Sequence, residues 1–161
     1  MAKKAPTGTP AITVLSTAGV GFTAHAYDHD SASASYGLEA ARALGLDPAR
    51  VFKTLVASVD GELVVAVVPV AGSLDLKALA GGVGGKRAEL ADPVLVERTT
   101  GYVLGGISPL GQRRVLPTVI DATALAYPTV FVSGGRRGLE VELDPADLVR
   151  LTAASTASLG R

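Results

Sequence analysis

Two apolar runs separated by Asp60-Gly61 constrain the fold of this chain more than any other feature. Residues 51–59 and 62–70 are rich in β-branched and apolar side chains. An Asp-Gly pair between such runs is a strong hairpin signal, because both positions of the tight turn need φ > 0. Pro69 marks the end of the second strand, since proline cannot donate to a ladder. The first strand carries one residue that does not belong in an apolar interior, Lys53, in Val51-Phe52-Lys53-Thr54-Leu55. A desolvated ammonium is costly. Lys53 therefore either snorkels to solvent or meets an anion.

Helix start and stop signals place the other elements. Thr9-Pro10 pairs an N-cap with proline at the first helical position, predicting a helix over about 10–18 that Gly19 and Gly21 end. Residues 22–27 read as a short strand and 28–31 as a turn. Ser35 caps a helix over about 37–44, with Gly45 just past its end. Asp47-Pro48 caps one further helical turn. Residues 73–80 have helical spacing and stop at Gly81-Gly82. Asp92-Pro93 opens a helix closed by Gly101, and Tyr102-Val103-Leu104 reads as a strand. Residues 115–120 form a strand with Pro117 inside it. Residues 130–133 and 139–143 flank a glycine-rich hairpin loop, and Asp144-Pro145 with Asp147 opens the last helix. This makes about five short helices and seven strands without regular βαβ alternation, which excludes a doubly wound parallel sheet. The expected class is α+β: a mixed, mainly antiparallel sheet, curled and partly barrel-like, surrounded by helices. The expected organisation is a flexible leader over 1–8, a single domain over 9–155, and a frayed tail over 156–161.

Composition narrows the chemistry. At 161 residues one domain can bury a real core. Aromatics are 4% with no Trp, so Ala, Val, Leu and Ile must build that core. With 0 Cys, disulfides, thiolate metal sites and a cysteine nucleophile are excluded. The 15 basic and 15 acidic residues balance, which argues against a broadly basic nucleic-acid coat and against DNA as a partner. Lys86-Arg87, Arg113-Arg114 and Arg136-Arg137 nevertheless all lie in or beside glycine-rich stretches, as a local phosphate-binding surface would need. Lys3-Lys4 is followed by Pro6, Gly8 and Pro10 rather than an apolar stretch, so no signal peptide is expected. No apolar run approaches the ~20 residues that span a bilayer. The expected location is cytoplasmic, with no membrane partner.

Most familiar chemistries find no footing. His25 and His29, the two histidines, lie on a predicted strand and turn, not on one helix face as a zinc-binding HEXXH requires. Nothing else completes a zinc site, so no metal and no cofactor are expected. Residues 81–87 (Gly-Gly-Val-Gly-Gly-Lys-Arg) lack the Ser or Thr of a phosphate loop and follow a helix. Ser108 has no base in the sequence to activate it. The stretch Gly105-Gly106-Ile107-Ser108-Pro109-Leu110-Gly111 is more suggestive. Its glycines permit close backbone approach and Pro109 stiffens it, so it can aim N–H groups at an oxyanion or serve simply as a tight connection. Residues 134–138 form either an anion nest or a hairpin loop with exposed arginines.

Taken in order, several segments form a recognisable set. They are Tyr27-Asp28-His29-Asp30, Tyr36-Gly37-Leu38-Glu39-Ala40, Val51-Phe52-Lys53-Thr54-Leu55, Thr100-Gly101-Tyr102-Val103, Gly105-Gly106-Ile107-Ser108-Pro109-Leu110-Gly111-Gln112 and Ser133-Gly134-Gly135-Arg136-Arg137-Gly138-Leu139. Over about residues 9–148 the chain resembles the YbaK/EbsC family of Cys-tRNA(Pro) deacylases. The resemblance implies a free-standing editing domain that removes cysteine mischarged onto proline tRNA, in a complex with prolyl-tRNA synthetase. In that family the substrate's own thiol attacks its ester and leaves as a cyclic thiolactone, a lyase- or hydrolase-type reaction that needs neither a triad nor a protein thiol. The resemblance makes Lys53 the essential lysine, anchoring the 3′-terminal adenosine phosphate or the ester. It assigns Gly105, Gly106, Ser108 and Pro109 to the loop that positions the carbonyl. Tyr27, Tyr36, Thr54, Ile107 and Glu140 become substrate-binding positions, with aspartate expected where Glu140 stands, and Arg136 and Arg137 become tRNA contacts. Other readings are a deacylase for another mischarged tRNA, such as Ala-tRNA(Pro), using water, and a non-catalytic tRNA- or synthetase-binding module.

Overall fold

A computed structural model describes residues 8–29 and 36–161. The expected leader falls almost wholly outside the described residues, as does the expected Ser35 cap. Among the described residues five α-helices and eight strands follow one another as α1 (Pro10–Ala18), β1 (Phe22–Ala26), α2 (Tyr36–Ala43), β2 (Phe52–Val59), β3 (Glu62–Pro69), α3 (Leu76–Gly82), β4 (Ala88–Leu90), α4 (Pro93–Thr100), β5 (Thr118–Asp121), β6 (Val130–Arg136), β7 (Leu139–Leu143), α5 (Pro145–Thr152) and β8 (Ser155–Ala157), with a 3₁₀ turn over Ala122–Ala126. The class is α+β, as the sequence predicts.

The strands form two sheets, ordered β1-β7-β6 and β4-β2-β3-β5-β8. Pairing is mixed. The contacts β1–β7, β6–β7, β2–β3 and β2–β4 are antiparallel, whereas β3–β5 and β5–β8 are parallel. A bridge between Val51 and Phe131 joins the two sheets without closing a barrel. The Asp60-Gly61 hairpin is as expected: φ is 49° at Asp60 and 86° at Gly61, and β2 pairs β3 in unbroken register from Phe52–Pro69 to Val59–Glu62.

The alternation of β3 divides the interior. Val65 and Val67 face one apolar cluster with α1, α4, α5 and the β6–β7 hairpin. Val64, Ala66 and Val68 face another with Leu79 of α3 and Leu159. A strand buried on both faces is near-continuously apolar, and each buried valine contributes ~2 kcal/mol. Three helices open with a side-chain cap followed by proline, at Thr9, Asp92 and Asp144.

Four expectations need correction. Residues 102–104 are loop rather than strand, because Leu104 N–H is taken by the Glu97 carboxylate at 2.8 Å. The strand expected over 115–120 begins only at Thr118, after Pro117. The helix expected from Ser73 starts at Leu76, capped by Asp75. Residues 156–161 do not fray: Ser155–Ala157 pairs with β5 and Leu159 is fully buried. Among the described residues no helix is long and apolar enough to cross a membrane.

Candidate functional site

The site arises from a gap in the five-stranded sheet. On one edge β2 pairs β3 along its whole length. On the other, β4 pairs only Ala57, Ser58 and Val59, and Ala91 N–H reaches Val56 O. β6 meets the chain just before β2, at Val51. Between these two contacts opens a cavity of about 400 Å³. Phe52, Lys53, Thr54, Leu55 and Val56 line it from β2. Leu90, Ala91, Pro93 and Val96 wall one side, and Leu104, Gly105 and Ile107 come from the loop beyond α4. Tyr27, Tyr36, Gly37, Ser133 and Glu140 close the other side. A concave, mostly apolar space with a few convergent polar groups is the usual form of a small-molecule site.

Lys53 is half-buried. Its Nζ donates to the Gly72 carbonyl at 2.9 Å, which leaves two of its three N–H donors unspent. Among the described residues no carboxylate lies within ion-pair distance of it. Glu140 sits in the centre of the small sheet, opposite His25 on β1 and Ser133 on β6. It is 6% exposed and faces the cavity, and burial is the one influence on its carboxyl, with no hydrogen bond to it among the described residues. Burial, which strips water from the charged form, pushes it up to about 8. Tyr27 is pushed up to about 12, by burial first and then by the nearby Glu140 charge. Thr54 lines the cavity, although its hydroxyl is buried without a hydrogen-bond partner among the described residues.

The glycine loop divides between two tasks. Gly105 adopts φ +85°, and a Cβ there would lie 2.8 Å from both Arg137 Nε and the Tyr36 ring. Gly106 packs elsewhere: a Cβ would meet the backbone of Arg136 and Arg137 at 2.7–2.8 Å, and its N–H donates to Val103 O. Its N–H is therefore spent. Gly105 and Ile107, which do line the cavity, make no such bond among the described residues. Ser108 and Pro109 are buried outside the lining. Ser108 Oγ accepts from Leu110 N at 3.2 Å, and Tyr102 donates its hydroxyl to Leu110 O at 2.6 Å. The sequence correctly suggests close backbone approach at these glycines, but the partner at Gly106 is the second glycine-rich stretch.

Arg137 closes the rim. Its guanidinium stacks 4.7 Å above the Tyr36 ring and donates through Nε to Leu104 O at 2.8 Å. Arg136 is exposed just outside. His29 and Glu39 lie 2.7 Å apart beside this aromatic, and His25 lies 2.9 Å from Glu142. Among the described residues no cluster of three potential ligands could hold a metal. Of the expected site residues, Lys53, Thr54, Tyr27, Tyr36, Gly105, Ile107 and Glu140 share the cavity. Gly106, Ser108, Pro109, Arg136 and Arg137 do not line it, although Arg137 stacks on the lining residue Tyr36. The sequence reading missed Ser133 and the apolar wall of Leu90, Val96 and Leu104. Leu90 and Leu104, both exposed, carry no local sign of their place at a cavity mouth.

Comparison with known proteins gives this cavity a setting. The aminoacyl-tRNA editing domain family matches residues 32–151. A protein of Enterococcus faecalis named as a candidate Cys-tRNA(Pro)/Cys-tRNA(Cys) deacylase, EbsC, is 40% identical over 121 residues, covering 74% of this chain and 73% of its own. The multifunctional Ser/Thr-tRNA deacylase ProXp-y of Escherichia coli K12 is 31% identical over 114 residues, 68% of either chain. The crystal structure of a candidate trans-editing enzyme for prolyl-tRNA synthetase superposes with a TM-score of 0.82 at 27% identity, covering 99% of both chains. The chain belongs to the aminoacyl-tRNA editing domain family, and its class of activity is the deacylation of charged tRNA.

Proposed function

We propose that this protein is a trans-acting deacylase that clears mischarged Cys-tRNA(Pro), working with prolyl-tRNA synthetase. The observation that carries the reading is a cavity with a cation, Lys53, at one side and a carboxyl, Glu140, at another, neither of which meets an opposite charge among the described residues. An aminoacyl ester on a 3′-terminal adenosine has the complementary poles: phosphate oxygens for Lys53 and an α-ammonium for Glu140. The cavity volume suits an aminoacyl group with part of its nucleoside.

The reaction needs no nucleophile from the chain, which has 0 Cys. The substrate thiol loses its proton and attacks its own ester carbonyl. A C–S bond forms, the C–O ester bond breaks, and the ribose oxygen leaves with a proton. The products are cysteine thiolactone and free tRNA. The chain's residues hold the thiol against the carbonyl. The unspent N–H groups of Gly105 and Ile107 receive the developing oxyanion. Tyr27 and Tyr36 frame the aminoacyl group, while Gly106, Ser108 and Pro109 hold the loop in shape. Arg136 and Arg137 meet the tRNA backbone outside. A second reading, deacylation of a hydroxyl-bearing aminoacyl group, is favoured by the likeness to the Ser/Thr-tRNA deacylase.

The test is a deacylation panel with Cys-, Ser-, Thr- and Ala-tRNA(Pro) and Cys-tRNA(Cys), with and without the synthetase, plus chemical trapping of the thiolactone. Fastest turnover of Cys-tRNA(Pro) with trapped thiolactone is expected, and Lys53→Ala should lower the rate at least ~100-fold. Turnover of alanyl-tRNA alone, or an unaffected Lys53→Ala variant, would overturn the assignment.

A further inference from the structure

Residues 159–161 dock beside the bond that holds Lys53. Its Nζ has one hydrogen-bond partner among the described residues, the Gly72 carbonyl at 2.9 Å. Strand register fixes the Lys53 backbone, but four methylenes separate it from the ammonium. The position of that single carbonyl therefore decides where the ammonium points. Gly72 has no side chain to anchor it. It closes the turn after β3, its N–H on Pro69 O at 3.2 Å. Downstream, the chain is pinned by a short antiparallel ladder. Arg161 N donates to Ser73 O at 2.9 Å, Asp75 N donates to Leu159 O at 2.7 Å, and Leu74 faces Gly160 between these two bonds. A Cβ on Gly72 would sit 3.4 Å from Arg161 O.

Asp121 clamps this segment. Its Oδ1 accepts from Leu159 N at 2.8 Å, and Oδ2 accepts from the backbone N–H and hydroxyl of Thr123. Burial alone would raise its carboxyl, but these bonds, with one from Gly160 N–H, hold it below the usual value. The carboxylate is 3% exposed. It touches neither the cavity nor Lys53; it reaches the site through residues 159–161 and 72–75, and also through the sheet, where Ile120 pairs Val67 and Val68 pairs Lys53, two routes that the crosslink below separates.

We propose that residues 159–161, clamped by Asp121, are a positioning element for Lys53: they fix the Gly72 carbonyl that orients its ammonium into the cavity. This rests on the reading that Lys53 anchors the substrate.

The test is a double-mutant cycle on the full chain with a crosslink rescue. Asp121→Asn keeps the side-chain shape but puts an amide donor against N–H groups that need acceptors. It should slow deacylation about tenfold to a hundredfold. In a Lys53→Ala background the same change should cost less than about twofold, since it acts through the lysine. Leu74 and Gly160 form a non-hydrogen-bonded antiparallel pair, whose close Cα approach suits a disulfide. The otherwise cysteine-free chain makes such a bond unambiguous. The oxidised Leu74→Cys/Gly160→Cys pair should restore activity to Asp121→Asn, and reduction should abolish the rescue. If Asp121→Asn alone does not fold, the oxidised and reduced forms of the triple variant carry the comparison. Equal losses in both backgrounds, or no rescue on oxidation, would overturn the proposal. Solvent exchange of the Lys53 Nζ hydrogens, followed by NMR without tRNA, separates the two claims. Faster exchange in Asp121→Asn supports the brace even if Lys53→Ala leaves deacylation intact, whereas unchanged exchange refutes it.

Discussion

Glu140→Gln should make the protein more stable, by an amount that depends on pH. The carboxyl's ordinary value of 4.5 is pushed up to about 8 by burial. Between these values the folded protein holds a proton that the unfolded chain has released. The unfolded state binds fewer protons there, so stability falls as pH rises. Each pH unit is worth ~1.4 kcal/mol. The wild type should therefore lose about 3 kcal/mol between pH 4.5 and 7 on this account, and about 5 kcal/mol once pH passes 8. Glutamine carries no proton to lose. The variant and wild type should be nearly equal at pH 5, diverge steadily, and reach a constant difference above pH 8. Asp121, held below the usual carboxyl value, and Tyr27, at about 12, titrate outside this window. Groups common to both proteins cancel in the difference. The assay is urea unfolding followed by far-UV circular dichroism at half-unit steps from pH 5 to 9. A difference that stays flat within ~1 kcal/mol would refute the claim that Glu140 is buried without a partner.

Two further substitutions probe the loop. Gly105→Ala should cost at least ~1 kcal/mol from its left-handed backbone and displace Tyr36 or Arg137, with about a tenfold or larger loss of deacylation; undiminished turnover would remove the loop's positioning role. Tyr102→Phe deletes the hydroxyl bond to Leu110 O and should cost ~1–2 kcal/mol with faster amide exchange across residues 105–111, so unchanged urea stability and exchange would show that this bond does not hold the loop.

Where the chain's own residues decide local structure, the sequence is readable. Thr9-Pro10, Asp92-Pro93 and Asp144-Pro145 each combine a side-chain acceptor with a preset φ, and each opens a helix where expected. Asp60-Gly61 sets the β2–β3 turn for the same reason. The three-residue strands β4 and β8 are illegible, since their pairing is supplied by β2 and β5 rather than by their own propensity. Residues 156–161 look like a fraying tail because nothing local announces that Asp121, 38 positions before Leu159, takes its N–H.

The candidate site divides along a similar line. Lys53 stands out because a charge interrupts an apolar run, and desolvation makes that anomalous wherever the strand lies. Glu140 does not stand out from the residues themselves. In Leu-Glu-Val-Glu-Leu, Glu140 and Glu142 share a face, and alternation alone sends both to solvent. Glu142 finds His25 and Thr129, whereas Glu140 faces the cavity beside Tyr27 and Tyr36, which belong to distant segments. The difference matters for ligand binding. Had Lys53 and Glu140 been paired, any ligand would have to break a buried ion pair before gaining its own contacts. Lys53 instead rests on a backbone carbonyl and Glu140 stores its charge as a proton. A ligand with one anionic and one cationic pole meets both at once, and its cation displaces a proton rather than a competing side chain.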